Sequence, residues 1–192
     1  MTQLINPTKF TKTVGLLRSF FLDKGFEEVH TQNRLSILAA CEDPFNVATY
    51  NYAGQVWPLP QTGQMWLEYE LLKNPDVAGY FCLTTSYRLE KNPVEGRHDI
   101  IFPLFEFESH GGMDKLIELE KELLEHLGYD TEKFMIKKYE DIATEFNTTE
   151  LEHEHETKLY TDFSPTYFIT DFPDSFLEIC VFYRFNTKCK EK

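Results

Sequence analysis

Apolar residues at Phe10, Val14, Leu17, Phe20 and Phe21 recur at helical spacing, so one face of the segment from Pro7 to Lys24 is predicted to be buried, with Gly25 as its C-terminal stop. From Glu27 to Thr31 the pattern shifts to short alternation of β-prone residues, which predicts a strand. Tyr50 to Trp57 reads as two short strands around a turn at Ala53-Gly54. Met65, Leu67, Leu71 and Leu72 restore helical spacing from Gln64 to Lys73. Gly79 to Glu90 and Asp99 to Glu108 are aromatic and β-branched strands on either side of the polar stretch Lys91-Asn-Pro-Val-Glu-Gly96, which predicts an antiparallel hairpin. Leu116, Leu119, Leu123 and Leu127 then mark a helix over Met113 to Leu127, capped by Gly128. Tyr139 to Phe146 and Thr149 to Leu159 are predicted to be further helices, and Thr166 to Phe172 a last buried strand.

Helices interleaved with mostly antiparallel hairpins predict an α+β fold in which an antiparallel sheet is flanked by helices. The glycine-rich loops of nucleotide folds, G-x-G-x-x-G or G-x-x-x-x-G-K, are missing from the sequence, so phosphates would have to be held by side chains. A chain of 192 residues, 42% hydrophobic and 15% aromatic, suits one domain with a real core. Its 19 basic and 32 acidic side chains give a net charge of −13, which argues against a broad electrostatic grip on nucleic acid.

The start, Met-Thr-Gln-Leu-Ile-Asn-Pro, lacks a basic, apolar leader, and no stretch approaches the roughly 18 apolar residues of a membrane span, so a soluble, cytoplasmic protein is expected. Cys41, Cys82, Cys180 and Cys189 are scattered and read as reduced thiols. The run Glu152-His-Glu-His-Glu156 places its histidines two apart, off a common helix face, and reads as a solvated acidic helix.

The chemistry gathers in the hairpin. Arg88 and Glu90 lie two apart on a strand and share a face, where a guanidinium can neutralise a phosphate and a carboxylate can accept from an amine. The loop brings Arg97 and His98, two phosphate donors. Phe102 offers a ring to stack on a base, and Glu106 and Glu108 share a face able to hold a metal ion or an amino group. Taken singly, each of these residues also fits a solvated hairpin with cross-strand ion pairs and a core phenylalanine.

Tyr87-Arg88-Leu89-Glu90 followed by Arg97-His98-Asp-Ile-Ile-Phe102 resembles, in order and spacing, the second motif of the class II aminoacyl-tRNA synthetase catalytic core, most closely its aspartate/asparagine branch. The motif-2-like region spans 84–108. The resemblance implies that Arg88 holds the α-phosphate of ATP, Glu90 the adenine amino group, and Arg97 and His98 the outer phosphates, while Phe102 stacks on adenine. Phe20-Phe21-Leu-Asp-Lys-Gly25-Phe26 through Thr31 resembles the first motif, over 8–32, which commonly builds a dimer interface; the usual proline after the threonine is Gln32 here. Cys41-Glu42-Asp-Pro-Phe45 and Gln61-Thr-Gly-Gln64 resemble segments lining the amino-acid pocket. They make Glu42 and Gln64 substrate-side candidates beside Glu106 and Glu108, with Gln61 a weaker one.

Tyr139-Glu-Asp-Ile-Ala, the acidic run to Glu156 and Phe168-Ile-Thr-Asp171-Phe-Pro173 extend the likeness to about residue 175. The tail 176–192 departs from it, without the glycine-rich third motif and its ATP-clamping arginine, a role Arg184 does not fill. The chain is thus expected to be a single, C-terminally truncated partial catalytic domain. The resemblance implies ATP and Mg2+, a small amino acid such as aspartate or asparagine, an aminoacyl-adenylate product, and a homodimer through residues 8–32. Transfer RNA is expected as a possible partner, without an anticodon-binding domain in this chain. Two other outcomes fit the same residues: an ammonia-dependent, asparagine-synthetase-like amide ligase, and a catalytically inactive truncated paralogue serving as a nucleotide-binding or dimerisation module.

Overall fold

A computed structural model describes residues 4–39, 42–89, 93, 99–132, 134–164 and 166–173. Helix α1 (Pro7–Asp23) starts where Asn6 caps it, its Oδ1 accepting from the Lys9 N–H at 3.0 Å, with Pro7 in the first turn where its missing N–H costs nothing. It ends at Gly25, whose φ of +80° is open to glycine without the Cβ clash other residues meet. The chain then enters β1 (Glu27–Glu28), passes through the β2 (Thr49–Tyr52) and β3 (Gln55–Pro58) hairpin, and forms α2 (Gln64–Lys73).

The central sheet has the order β1, β4 (Gly79–Tyr87), β5 (Ile101–Ser109). Strands β4 and β5 form the expected antiparallel hairpin over their whole length, from Gly79 opposite Ser109 to Tyr87 opposite Ile101. Alternation of side chains gives that hairpin two unlike faces. Phe81, Phe105 and Phe107 belong to the face covered by α1 and α3 (Met113–His126), where they meet Phe20, Phe21, Phe26 and Leu123. Phe21 is 0% exposed at the centre, with ring centroids of Phe20, Phe26, Phe81, Phe105 and Phe107 all between 4.8 and 5.7 Å away. Tyr80 and Cys82 point the other way, onto Leu67 of α2.

The remaining elements are β6 (Met135–Lys138), α4 (Tyr139–Glu145), α5 (His153–Lys158), a π-helical turn (Leu159–Phe163) and β7 (Tyr167–Thr170), with β6 and β7 paired in parallel. Strand β6 has no counterpart in the sequence pattern, because its apolar half, Met135-Ile136, is too short to register before two lysines. The strand expected over Glu27–Thr31 shrinks to two residues, parallel to β4, and is prolonged by a Val29 N–H bond to the Phe81 carbonyl at 2.8 Å. The helix expected from Thr149 begins only at His153. Thr148 and Glu150 close a side-chain turn ahead of it, and Glu152 caps it, with the Glu152 N–H donating to His155 Nδ1 at 2.9 Å. The Glu-His run is therefore partly a capping device. Among the described residues, no helix is long and apolar enough to cross a membrane. Cys41, Cys180, Cys189, Arg184 and the whole tail from 176 lie outside the described residues.

Candidate functional site

The face of the β4–β5 hairpin turned away from the phenylalanine core carries Tyr80, Cys82, Thr84 and Ser86 on one strand, opposite Glu108, Glu106, Leu104 and Phe102 on the other. Arg88 prolongs that row just past the end of β4, where its N–H donates to the Ile100 carbonyl at 2.8 Å. Arg88, Phe102, Glu106 and Glu108, singled out by sequence, thus fall on one side of one sheet. Glu90, Arg97 and His98 lie outside the described residues.

Glu106 is the fixed point of the site. Its Oε1 accepts from the Thr62 hydroxyl and its Oε2 from the Gly63 N–H at 2.6 Å, so the turn opening α2 is bonded to the middle of β5. Burial raises its pKa above the usual carboxylate value, and the charge of Glu42 adds to that. The bonds from Thr62 and Gly63 and the charge of Arg88 oppose it. Glu108, one step along, is pushed up to about 7, chiefly by burial, then by the charges of Glu68 and Glu106 against a hydrogen bond from Gln64. The Gln64 amide also donates to Glu68 Oε1 at 3.0 Å, so α2 sets both its Gln64 and its Glu68 toward the carboxylates of β5. The Cys82 thiol, beneath Glu106, is pushed up to about 12 by burial and by the nearby carboxylates, which leaves it inert as a nucleophile at neutral pH.

A family model described as tRNA synthetases class II (D, K and N) matches residues 6–192. The chain belongs to that family. Its fold is that of asparaginyl-tRNA synthetase from Pyrococcus horikoshii complexed with asparaginyl-adenylate, with a TM-score of 0.67 at 20% identity over 84% of this chain and 43% of that one. Asparaginyl-tRNA synthetase from Entamoeba histolytica, also in complex with asparaginyl-adenylate, aligns with a TM-score of 0.70 at 16% identity over 86% of this chain and 43% of that one. The chain therefore spans less than half the length of these synthetases. No curated protein sequence matches it.

Within this class II core, Glu42 sits deeper than a residue facing a ligand directly. Its side chain is 2% exposed, its Oε2 accepts from the Ala39 N–H at 2.9 Å, and its Oε1 lies 3.5 Å from Arg34 Nε in an ion pair without hydrogen-bond geometry. Gln61 is likewise buried, its amide bonded to Asp43. Arg34, Thr62, Gly63, Glu68 and Ser86 support these groups and escaped the sequence reading. Thr62 and Gly63 lie inside the quoted Gln61–Gln64 segment, but a hydroxyl and a bare backbone N–H carry no signal of their own until β5 is placed beside them.

Proposed function

We propose that the chain binds ATP with Mg2+ and a small amino acid, aspartate or asparagine, and forms an aminoacyl-adenylate. The observation that carries this is the alignment of Arg88, Phe102, Glu106 and Glu108 on one sheet face, beside Gln64 at the start of α2. The two synthetases that share the fold hold asparaginyl-adenylate, which supports the substrate class.

In this reading the amino-acid carboxylate attacks the α-phosphate and pyrophosphate leaves, a step that needs in-line positioning and charge neutralisation more than a protein nucleophile. Arg88 neutralises the α-phosphate, and its guanidinium is steadied by Nε donating to Ser86 Oγ at 3.4 Å. Phe102 stacks on adenine. Glu106, Glu108 and Gln64 face the ammonium end of the amino acid, with Glu42 buried behind them on the amino-acid side and Glu106 held rigid by Thr62 and Gly63. Glu90, Arg97 and His98 complete the nucleotide contacts that family likeness suggests.

Mg2+ binds through one or two carboxylates together with substrate phosphates. Glu106 and Glu108 supply hard oxygen donors of that kind, although Glu106 already accepts two hydrogen bonds, which leaves Glu108 the freer of the pair. When bound, the ion spreads the phosphate charge. We place the activity in the cytoplasm, with residues 8–32 as the homodimer contact; transfer RNA would accept the aminoacyl group from the adenylate, with AMP as the leaving group.

Amino-acid-dependent exchange of pyrophosphate into ATP tests the reading. Arg88→Ala should lower exchange by about a hundredfold or more, the scale of one lost transition-state donor. An Arg88→Ala chain as active as wild type would remove Arg88 from the site.

A further inference from the structure

Gln61 is 2% exposed, and both ends of its amide are committed to one residue across the loop: Oε1 accepts from the Asp43 N–H at 3.0 Å and Nε2 donates to the Asp43 carbonyl at 2.9 Å. A side chain thus imitates a rung of β-ladder. An amide oriented by two backbone bonds in a buried position serves the loop, not a ligand.

Gln61 is tied on its other side to the hairpin. Its carbonyl accepts from Ser86 Oγ at 2.7 Å, the Tyr87 N–H donates to the Pro60 carbonyl at 2.9 Å, and Ser86 Oγ in turn accepts from Arg88 Nε. Ser86 is 0% exposed. Glu42 directly precedes Asp43, so the run Glu42, Asp43, Gln61, Ser86, Arg88 joins the carboxylate on the amino-acid side to the guanidinium on the ATP side. Every link is a covalent neighbour or a hydrogen bond.

We propose that Gln61 and Ser86 are positioning residues that couple the two halves of the site. The Glu42 loop and the Arg88 guanidinium are ordered together, so amino acid and ATP each tighten the binding of the other. This rests on the reading of Arg88 as an ATP ligand. Coupling of this kind is reciprocal: the factor by which a bound amino acid raises the affinity for ATP is the factor by which ATP raises that for the amino acid. A substitution in the middle of the run should weaken ATP binding without touching ATP.

A double-variant cycle reads this. ATP with Mg2+ is titrated into the wild type, Gln61→Leu, Arg88→Ala and the combined variant. Action through Arg88 predicts about a tenfold loss from Gln61→Leu when Arg88 is present and less than about twofold when it is gone. Equal losses in both backgrounds would overturn the proposal, because general softening of the fold does not depend on Arg88. Ser86→Ala obeys the same rule and replaces Gln61→Leu if that chain does not fold.

Amide hydrogen exchange on the ligand-free protein reads the run without nucleotide. Ser86→Ala should speed exchange of the Asp43 amide, and Gln61→Leu that of the Tyr87 amide, which donates to the Pro60 carbonyl, each about fivefold, as expected for one weakened hydrogen bond. The Val29 amide, bonded to Phe81 on the far side of β4, should not change. No change at Asp43 and Tyr87 overturns the coupling even if ATP binds. A wild-type chain without affinity for ATP would instead defeat the nucleotide reading, and the exchange comparison alone would then decide whether the coupling exists.

Discussion

The Gly63 N–H and Glu106 Oε2 meet at 2.6 Å, which makes a backbone donor of the turn before α2 the anchor of the central carboxylate on β5. Only a residue without a side chain allows this approach. A Cβ at position 63 would stand 2.7 Å from Cys82 Sγ, 3.1 Å from Thr31 Cγ2 and 3.2 Å from Glu106 Oε2. Cys82 is buried on a short side chain and has nowhere to retreat. Gly63→Ala is therefore expected to cost about 1–3 kcal/mol of stability, the usual range for an overpacked core, measured by urea denaturation.

Phe21→Ala tests the opposite face of the same sheet. The ring lies among five other phenylalanines contributed by α1, its C-terminal flank, β4 and β5, so truncation opens a cavity at the junction of all of them. The expected loss is about 3–5 kcal/mol in chemical denaturation. A loss under about 1 kcal/mol would mean that the aromatic cluster collapses around the gap rather than holding its packing.

The hairpin was legible from the aromatic and β-branched strands on either side of a polar loop, and with it came the shared face of Glu106 and Glu108; that Arg88 and Phe102 fall on that same face follows only from the register of β4 against β5. Helix α1 was legible from its spacing and from Gly25. What escaped notice was set by contacts distant in sequence. Strand β6 exists because β7 pairs with it some thirty residues later, and β1 is short because only Glu27 and Glu28 meet Tyr80 and Phe81. The bonds from Thr62 and Gly63 to Glu106 span more than forty residues, and no local pattern announces them. Glu42 was legible as a carboxylate of interest, but its burial against Arg34 depends on how the loop folds back on itself.

Glu108 gives the protein a pH dependence with a definite sign. Its pKa in the folded chain, about 7, stands above the usual 4.5, so the folded state holds a proton that the unfolded state releases earlier. Its contribution to stability is complete below about 4.5 and is lost as the pH rises through about 7. Thermal denaturation of the ligand-free chain should therefore show a component that declines across that window. Glu108→Gln should flatten it, leaving the slope from Glu106, which is raised in the same direction. A cationic ligand reverses the preference: the ammonium of an amino acid should bind Glu108 more tightly as the pH rises past about 7, and Glu108→Gln should remove that rise. A slope unchanged by Glu108→Gln would mean that the carboxyl titrates normally in the folded protein.

Phe102 stands opposite Ser86 on the face that carries Arg88, half-buried, so its ring can contribute through its surface without being locked in the core. Stacking on a base is worth about 1–3 kcal/mol, so Phe102→Ala should weaken ATP by about tenfold or more, while Phe102→Trp, which keeps an aromatic face, should bind nearly as wild type. Inorganic tripolyphosphate separates the two halves of the nucleotide. Without a base it should be indifferent to Phe102→Ala and sensitive to Arg88→Ala, because the guanidinium acts on phosphate alone. Calorimetric titration of both ligands into the three variants checks this. If tripolyphosphate lost as much affinity as ATP on Phe102→Ala, the ring would be acting by holding β5 in place, and adenine would have to be stacked elsewhere.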